Sequence, residues 1–197
     1  LTMHAAQVLC DSIKENDLVY ILVGFVLLPH KVPEMDGTVS AMLLARALVM
    51  AFHAKPIIVC PADSVQAIEK CAAVVGLHIY EDLDTVQELP LSMGVVAFTK
   101  DKAAAPAQAE ALAARKPAAV ISVEASGANA LGVYHNAVGK DVTEMQAKSE
   151  ALWNLLRAQG VRIIAIGDLG NEIGMGTIEP HIRKYVPFTD AGECKCG

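Results

Sequence analysis

The sequence has 197 residues, 53% of them hydrophobic and 19% charged, with a formal net charge of -6 at pH 7. That composition describes a folded globular chain and excludes a disordered or repetitive one. With sixteen basic against twenty-two acidic residues and no Lys/Arg cluster, it carries no electrostatic footprint for nucleic acid or an anionic membrane surface. At about 150 residues per domain, the length fits a single domain over 1–197, large enough to bury its core without disulfide staples.

Taken in chain order, the first strong signal is the apolar run 18–28, broken at Gly24 and shorter than the roughly 20 residues of a membrane-spanning helix, so no span is expected. Its first part, 18–25, reads as a strand. Residues 40–52 are apolar nearly all round with Arg46 as their only charge, the pattern of a helix buried on most sides. A strand is expected at 56–60, then a helix opened by Asp63 with Gln66 three residues on, carrying Ile68, Cys71, Ala72 and Val75 on one face and stopped by Gly76. A short edge strand at 77–80, a strand at 94–99, an alanine-rich helix at 103–115 and a strand at 118–124 follow. Thr143 with Gln146 repeats the capping pattern ahead of a Met145, Leu152, Leu156 stripe ended by Gly160, and a last strand covers 162–167. Five cysteines is an odd number, and Cys10, Cys60 and Cys71 lie in apolar patterns, as in a reducing compartment. Cys194 and Cys196 form a lone C-x-C, a weak metal or redox signal.

Nearly continuous apolar strands alternating with helices predict an α/β fold: an open, mainly parallel, Rossmann-like sheet with helices on both faces. Ligands of such sheets sit beyond the carboxyl ends of the strands, so the loops there carry the most functional weight. Three are unusual. The segment 29–37 carries Glu34, Asp36 and Gly37 into the buried helix. The segment from Glu124 to Asp141 contains Gly127, Asn129, Gly132, Tyr134, His135, Asn136 and Gly139. The segment 167–176 holds Asp168, Asn171, Glu172 and four glycines in ten residues, which let backbone N–H groups approach a ligand. Its spacing is not the dinucleotide fingerprint.

These loops bring Glu34, Asp36, Glu124, Asp168 and Glu172 to one rim, where like charges raise one another's pKa. A divalent cation such as Mg²⁺ or Mn²⁺ or a substrate ammonium would relieve them, and a carboxylate so raised can act as general acid or base. Plainer readings stand beside these. Glu34 and Asp36 also suit a helix N-terminus, the glycines suit turns, and His53 and His78 suit filler positions. Lys100 and Lys102 read as a carboxylate anchor or as solvated loop charges.

The same three blocks resemble the D-glutamate cyclase family, meaning the C-terminal domain of the mitochondrial enzyme and its bacterial stand-alone relatives. The resemblance spans residues 24–176, through Gly24-Phe25 with Pro33-Glu34-Met35-Asp36-Gly37 and the Ala45-Arg46-Ala47-Leu48 helix, the Glu124 to Asp141 block, and Ile166-Gly167-Asp168 through Asn171-Glu172-Ile173-Gly174-Met175-Gly176. Three positions depart from the family pattern: Val23 where Thr is favoured, Met35 where Thr is usual, and Leu169 where Gly is usual. They remove small or polar groups near the expected site and leave room for a different substrate. Family members tend to continue with another strand, so the domain is expected to extend past Gly197.

The resemblance implies a lyase that converts D-glutamate to 5-oxo-D-proline and water, in the cytoplasm or, in a eukaryote, the mitochondrial matrix. Asp168, Glu172 and Glu124 would be catalytic. Glu34, Asp36, Gly37, Asn129, Tyr134, Asn136, Asn171, Gly174, Met175 and Gly176 would bind the amino acid substrate, and Glu34, Asp36 and Asp168 any metal, Mg²⁺ or Mn²⁺. The expected partner is a small amino acid, not nucleic acid or a membrane, and a homo-oligomer is compatible with it. Two alternatives remain: a non-catalytic module binding a nucleotide or phosphorylated metabolite, and a related lyase or hydrolase acting on another small amino acid derivative.

Overall fold

A computed structural model describes residues 1–186. Cys194 and Cys196 lie outside them. In chain order the elements are α1 (Thr2–Ser12), β1 (Leu18–Val23), the two-stranded hairpin β2 (Val26–Leu27) and β3 (Val32–Pro33), α2 (Met35–Phe52), β4 (Lys55–Pro61), α3 (Ala62–Val75), β5 (His78–Tyr80), α4 (Leu83–Glu88), β6 (Ser92–Phe98), α5 (Ala105–Ala113), β7 (Ala119–Val123), α6 (Glu150–Ala158), β8 (Arg162–Ile166) and α7 (Glu179–Tyr185). Two 3-10 turns, Thr143–Met145 and Met175–Ile178, precede α6 and α7.

Six of the strands form one parallel sheet in the order β5-β6-β4-β1-β7-β8, and β2 and β3 pair apart from it. Because successive side chains of a strand point to opposite faces, β1 divides its apolar residues between two cores. Val19, Ile21 and Val23 meet Ala41, Met42, Ala45 and Leu48 of α2 and Ile68 and Ala72 of α3 on one face. Leu18, Tyr20 and Leu22 meet Ala109, Leu112 and Ala113 of α5 and Leu152, Trp153 and Leu156 of α6 on the other. Strands covered on both sides must be apolar throughout, which is why β1, β4 and β7 are buried along their whole length. This is the Rossmann-like arrangement the apolar runs predict. After β1 the chain adds β4, then β5 at the edge and β6 between them, and returns to place β7 against the other side of β1. The crevice between the carboxyl ends of β1 and β7 is therefore the topological switch point, where α/β sheets bind ligands.

Several local expectations differ from what forms. The buried helix starts at Met35 rather than at 40, and α2 is thereby 18 residues long with a mean hydropathy of 1.4, long and apolar enough by length and composition to cross a membrane. Its inward face is packed on the sheet. Asp63 does not cap α3, whose N-cap is Pro61; it pairs instead with Lys100 at 2.5 Å. The Thr143–Gln146 pair caps nothing either. Thr143 accepts the Tyr134 N–H at 3.0 Å, and the Gln146 amide exchanges two hydrogen bonds with the buried backbone of Val26, at 3.0 and 2.9 Å. The helix proper begins only at Glu150. The short elements α1, α4, α7 and the β2–β3 hairpin were not anticipated from the pattern.

Candidate active site

Each acidic residue reaches the switch point by a different route. Glu34 is the N-cap residue of α2 and Asp36 lies in that helix's first turn, with its own Oδ1 accepting the Gly37 N–H at 2.6 Å. Glu124 directly follows β7. Its N–H continues the ladder to Ile166 O at 3.0 Å, but its φ of 48° lies in the left-handed region, which costs a non-glycine residue about 1–3 kcal/mol and is retained chiefly where function needs it. Two glycines make room for its neighbours. A Cβ on Gly37 would lie 2.6 Å from the Glu124 Cβ, and one on Gly167 would lie 2.9 Å from a Glu172 carboxylate oxygen.

The 167–176 loop folds back on itself. The N–H groups of Asp168, Leu169 and Gly170 donate to the Glu172 carboxylate at 3.3, 3.2 and 2.9 Å, so the anion held by this glycine-rich turn is a side chain of the same loop. Glu172 is buried and Asp168 exposed, and one carboxylate oxygen from each lies with one of Glu124 within 4.8 Å. Glu124 is half-buried. Burial first, then the charges of Glu172, Asp168, Asp36 and Glu34, push its carboxyl up to about 8. The Glu34 carboxyl is also raised, by burial and then by Asp36, Asp168 and Glu172. All five acids expected at one rim are therefore within electrostatic reach of one another.

Over this geometry the comparisons are decisive for the family. The chain matches the D-glutamate cyclase-like, C-terminal family over residues 2–197. It belongs to that family. No match is found among curated proteins.

Within the D-glutamate cyclase-like frame, the trio that closes on a single point is Glu124, Asp168 and Glu172, rather than the Glu34, Asp36 and Asp168 set expected to hold a metal. In the first turn of α2, Asp36 turns one oxygen, Oδ1, to the adjacent Gly37 N–H. Asn129 and Asn136 shape the long loop: Asn129 Oδ1 accepts from Leu131 and Val133, and Asn136 Oδ1 from Val138 and Lys140. Asn171 Nδ2 donates to His135 O at 2.9 Å, tying the 167–176 loop to the 125–141 loop, while its buried Oδ1 has no partner among the described residues. Tyr134 is buried and its hydroxyl donates to Glu150, away from the acidic trio. Gly174 packs on Ala165 and Trp153, where a Cβ would come within 2.5 Å of the Ala165 Cβ, and Met175 is buried beside it, whereas Gly176 is exposed. Of the three departures from the family pattern, Val23 is buried at the end of β1, Met35 opens α2 with an exposed side chain, and Leu169 contributes one of the three N–H groups that hold Glu172.

Sequence reasoning missed Lys148 and Glu150 and took Gln146 for a capping residue; all three lie at or near the start of α6. The gap between Met145 and Leu152 in the apolar stripe is the signal that a helix does not run through them.

Proposed function

We propose that this chain is a lyase that closes D-glutamate to 5-oxo-D-proline, with Glu124 as the group that takes the proton from the substrate amine. In this reaction the α-nitrogen forms a bond to the carbon of the γ-carboxylate (Cδ), and one oxygen of that carboxylate leaves as water, taking the two protons the ammonium loses. Both reacting groups belong to one molecule, so the protein's task is to fold the substrate, move protons and stabilise charge. The observation that carries the reading is the placement of Glu124. Its carboxyl is raised to about 8, near the operating pH of a general base, and it stands beside Asp168 and Glu172 at the switch point. An ammonium drawn to the trio offsets the like charges that keep Glu124 protonated, so Glu124 releases its proton as substrate binds, then accepts one from the amine and can return it to the leaving oxygen.

A divalent cation also fits the trio. Two oxygens bound to one ion at about 2.1–2.4 Å can be no more than about 4.2–4.8 Å apart, and the three hard carboxylate oxygens meet that limit. Held by Glu124, Asp168 and Glu172, such an ion would act as a Lewis acid toward the γ-carboxylate. The phosphometabolite reading is less well supported, because three N–H groups that would receive a phosphate in the glycine-rich loop already serve Glu172.

The test is incubation of the purified protein with D- or L-glutamate, with and without Mg²⁺ or Mn²⁺, followed by chiral chromatography of 5-oxoproline. Formation of the D product alone is expected. Absence of product in every arm, from a folded sample, overturns the assignment; a panel of other amino acid derivatives then decides between a related lyase or hydrolase and a binding module.

A further inference from the structure

A second cavity, of about 500 Å³, opens between the segment after β6, the 125–141 loop and the start of α6. None of the five acids at the switch point lines it. Three lysines converge there. Lys100 comes from the segment after β6 and is paired with Asp63 at 2.5 Å. Lys148 is buried; its ammonium lies 4.3 Å from the centroid of the Tyr134 ring and donates to Thr143 O at 2.5 Å and Gln146 O at 2.9 Å. An ammonium has three donors, so one of its N–H groups remains unspent. Lys102 lies over Gly132, 3.3 Å from where a Cβ would stand, and makes no hydrogen bond or ion pair among the described residues.

Three carboxylates share the lining, and Glu144 and Glu150 act electrostatically on Lys148, but no salt bridge joins any of them to Lys102 or Lys148 among the described residues. Asp101 Oδ1 accepts the Ala103 N–H at 2.8 Å, Glu144 is exposed, and Glu150 receives the Tyr134 hydroxyl on Oε1 while its Oε2 is sealed from solvent. Gly132 matters to the shape, since its φ of 79° bends the loop and its missing side chain admits the Lys102 ammonium. Lys102 has no ion pair among the described residues and Lys148 lines the same space, so an oxyanion between them gains charge-assisted hydrogen bonds.

We propose that this cavity is a binding site for a small oxyanion, a carboxylate or a phosphate, gripped by Lys102 and Lys148 and separate from the carboxylate trio. The site does not depend on the reaction proposed above. Inorganic phosphate and glutarate are titrated separately into the metal-free protein at low ionic strength, with affinity read by calorimetry and location by the backbone amide signals of Gly132 and Tyr134. Saturable binding of at least one is expected, and the arm that binds identifies the source of the oxyanion. Lys102→Ala should weaken binding roughly tenfold or more, the worth of a hydrogen bond to a charged group. Lys102→Arg should retain it, and Glu124→Gln should leave it unchanged. No saturable binding of either anion, equal affinity in Lys102→Ala, or equal weakening by Glu124→Gln overturns the proposal, whatever the outcome with D-glutamate.

Discussion

The absence of a side chain on Gly37 is what lets Glu124 stand where it does: a Cβ on Gly37 would fall 2.6 Å from the Glu124 Cβ and 3.4 Å from the Val123 carbonyl oxygen. The first turn of α2 thus crosses the end of β7 at a distance only glycine permits. Alanine in a helix is ordinarily favoured over glycine by about 1 kcal/mol. Here the added methyl must push against Glu124 and the backbone behind it, so Gly37→Ala should destabilise by about 1–3 kcal/mol instead. Displacing the proposed base by even about 1 Å should lower D-glutamate turnover roughly a hundredfold. Thermal melts and initial rates measured on the same sample check both signs; a variant more stable than wild type with full activity rules out the contact.

Glu124 also sets an expectation for pH. Its carboxyl is raised from the ordinary 4.5 to about 8 in the folded chain, so between those values the folded protein holds a proton that the unfolded chain has released. Its contribution to stability is present below the unfolded value and is lost as pH rises through about 8. Glu34, raised by burial and by Asp36, Asp168 and Glu172, acts in the same direction. The melting temperature of the metal-free protein should therefore fall from about pH 5 to about pH 8, and Glu124→Gln should flatten that slope. A wild-type slope of zero or of opposite sign removes the electrostatic strain from the account.

The parts of this structure that follow from local chemistry were legible in the sequence. Alternate residues of β1 feed two cores, and that requires the unbroken Leu18 to Val23 run that marks a strand covered on both faces. The gathering of Glu34, Glu124, Asp168 and Glu172 was legible too, because parallel topology places every loop after a strand on one rim. What stayed hidden depends on a side chain meeting distant backbone. Glu172 turning back onto the amides of Asp168 to Gly170 looks, in sequence, like a loop awaiting an external anion. Gln146 looks like a capping residue because its partner, Val26, lies 120 positions away. Lys148 and Glu150 were hidden by a helical stripe that begins later than it reads.

The locked carboxylate makes Glu172 and Asp168 separable by mutation. Replacing Glu172 by Gln puts an NH₂ donor where three N–H groups need acceptors, so Glu172→Gln should cost about 1–3 kcal/mol and loosen the loop. Asp168 is exposed, and its side chain is absent from the loop's own hydrogen bonds to Glu172. Asp168→Asn should leave the melting temperature within a degree or two, as surface substitutions do, while lowering turnover by about a hundredfold or more through loss of charge beside the reacting amine. The two melts and the two rates together test this division. Equal stability losses, or full activity in Asp168→Asn, would show that the trio is structural.

Gln146 is the remaining position where structure predicts a large effect that composition does not. Its side-chain amide satisfies both the N–H and the carbonyl of Val26, which is 1% exposed and begins the β2–β3 hairpin leading to Glu34. Truncation to alanine leaves two buried backbone groups unpaired, at about 1–3 kcal/mol each. Gln146→Ala should therefore lower stability by about 2–5 kcal/mol, or at least several degrees in melting temperature at about 2–4 °C per kcal/mol for a chain of this size. Gln146→Glu keeps an acceptor for the Val26 N–H but, when ionised, has no donor for its carbonyl, and it buries a charge besides. It should rescue none of the loss. Because the hairpin hands the chain on to α2, hydrogen exchange at Val26 and Glu34 N–H should rise together in Gln146→Ala, the latter bonded to Phe25 O at 2.8 Å. Acceleration confined to Val26 would mean that the cross-link supports the hairpin alone and leaves the position of Glu34 to α2.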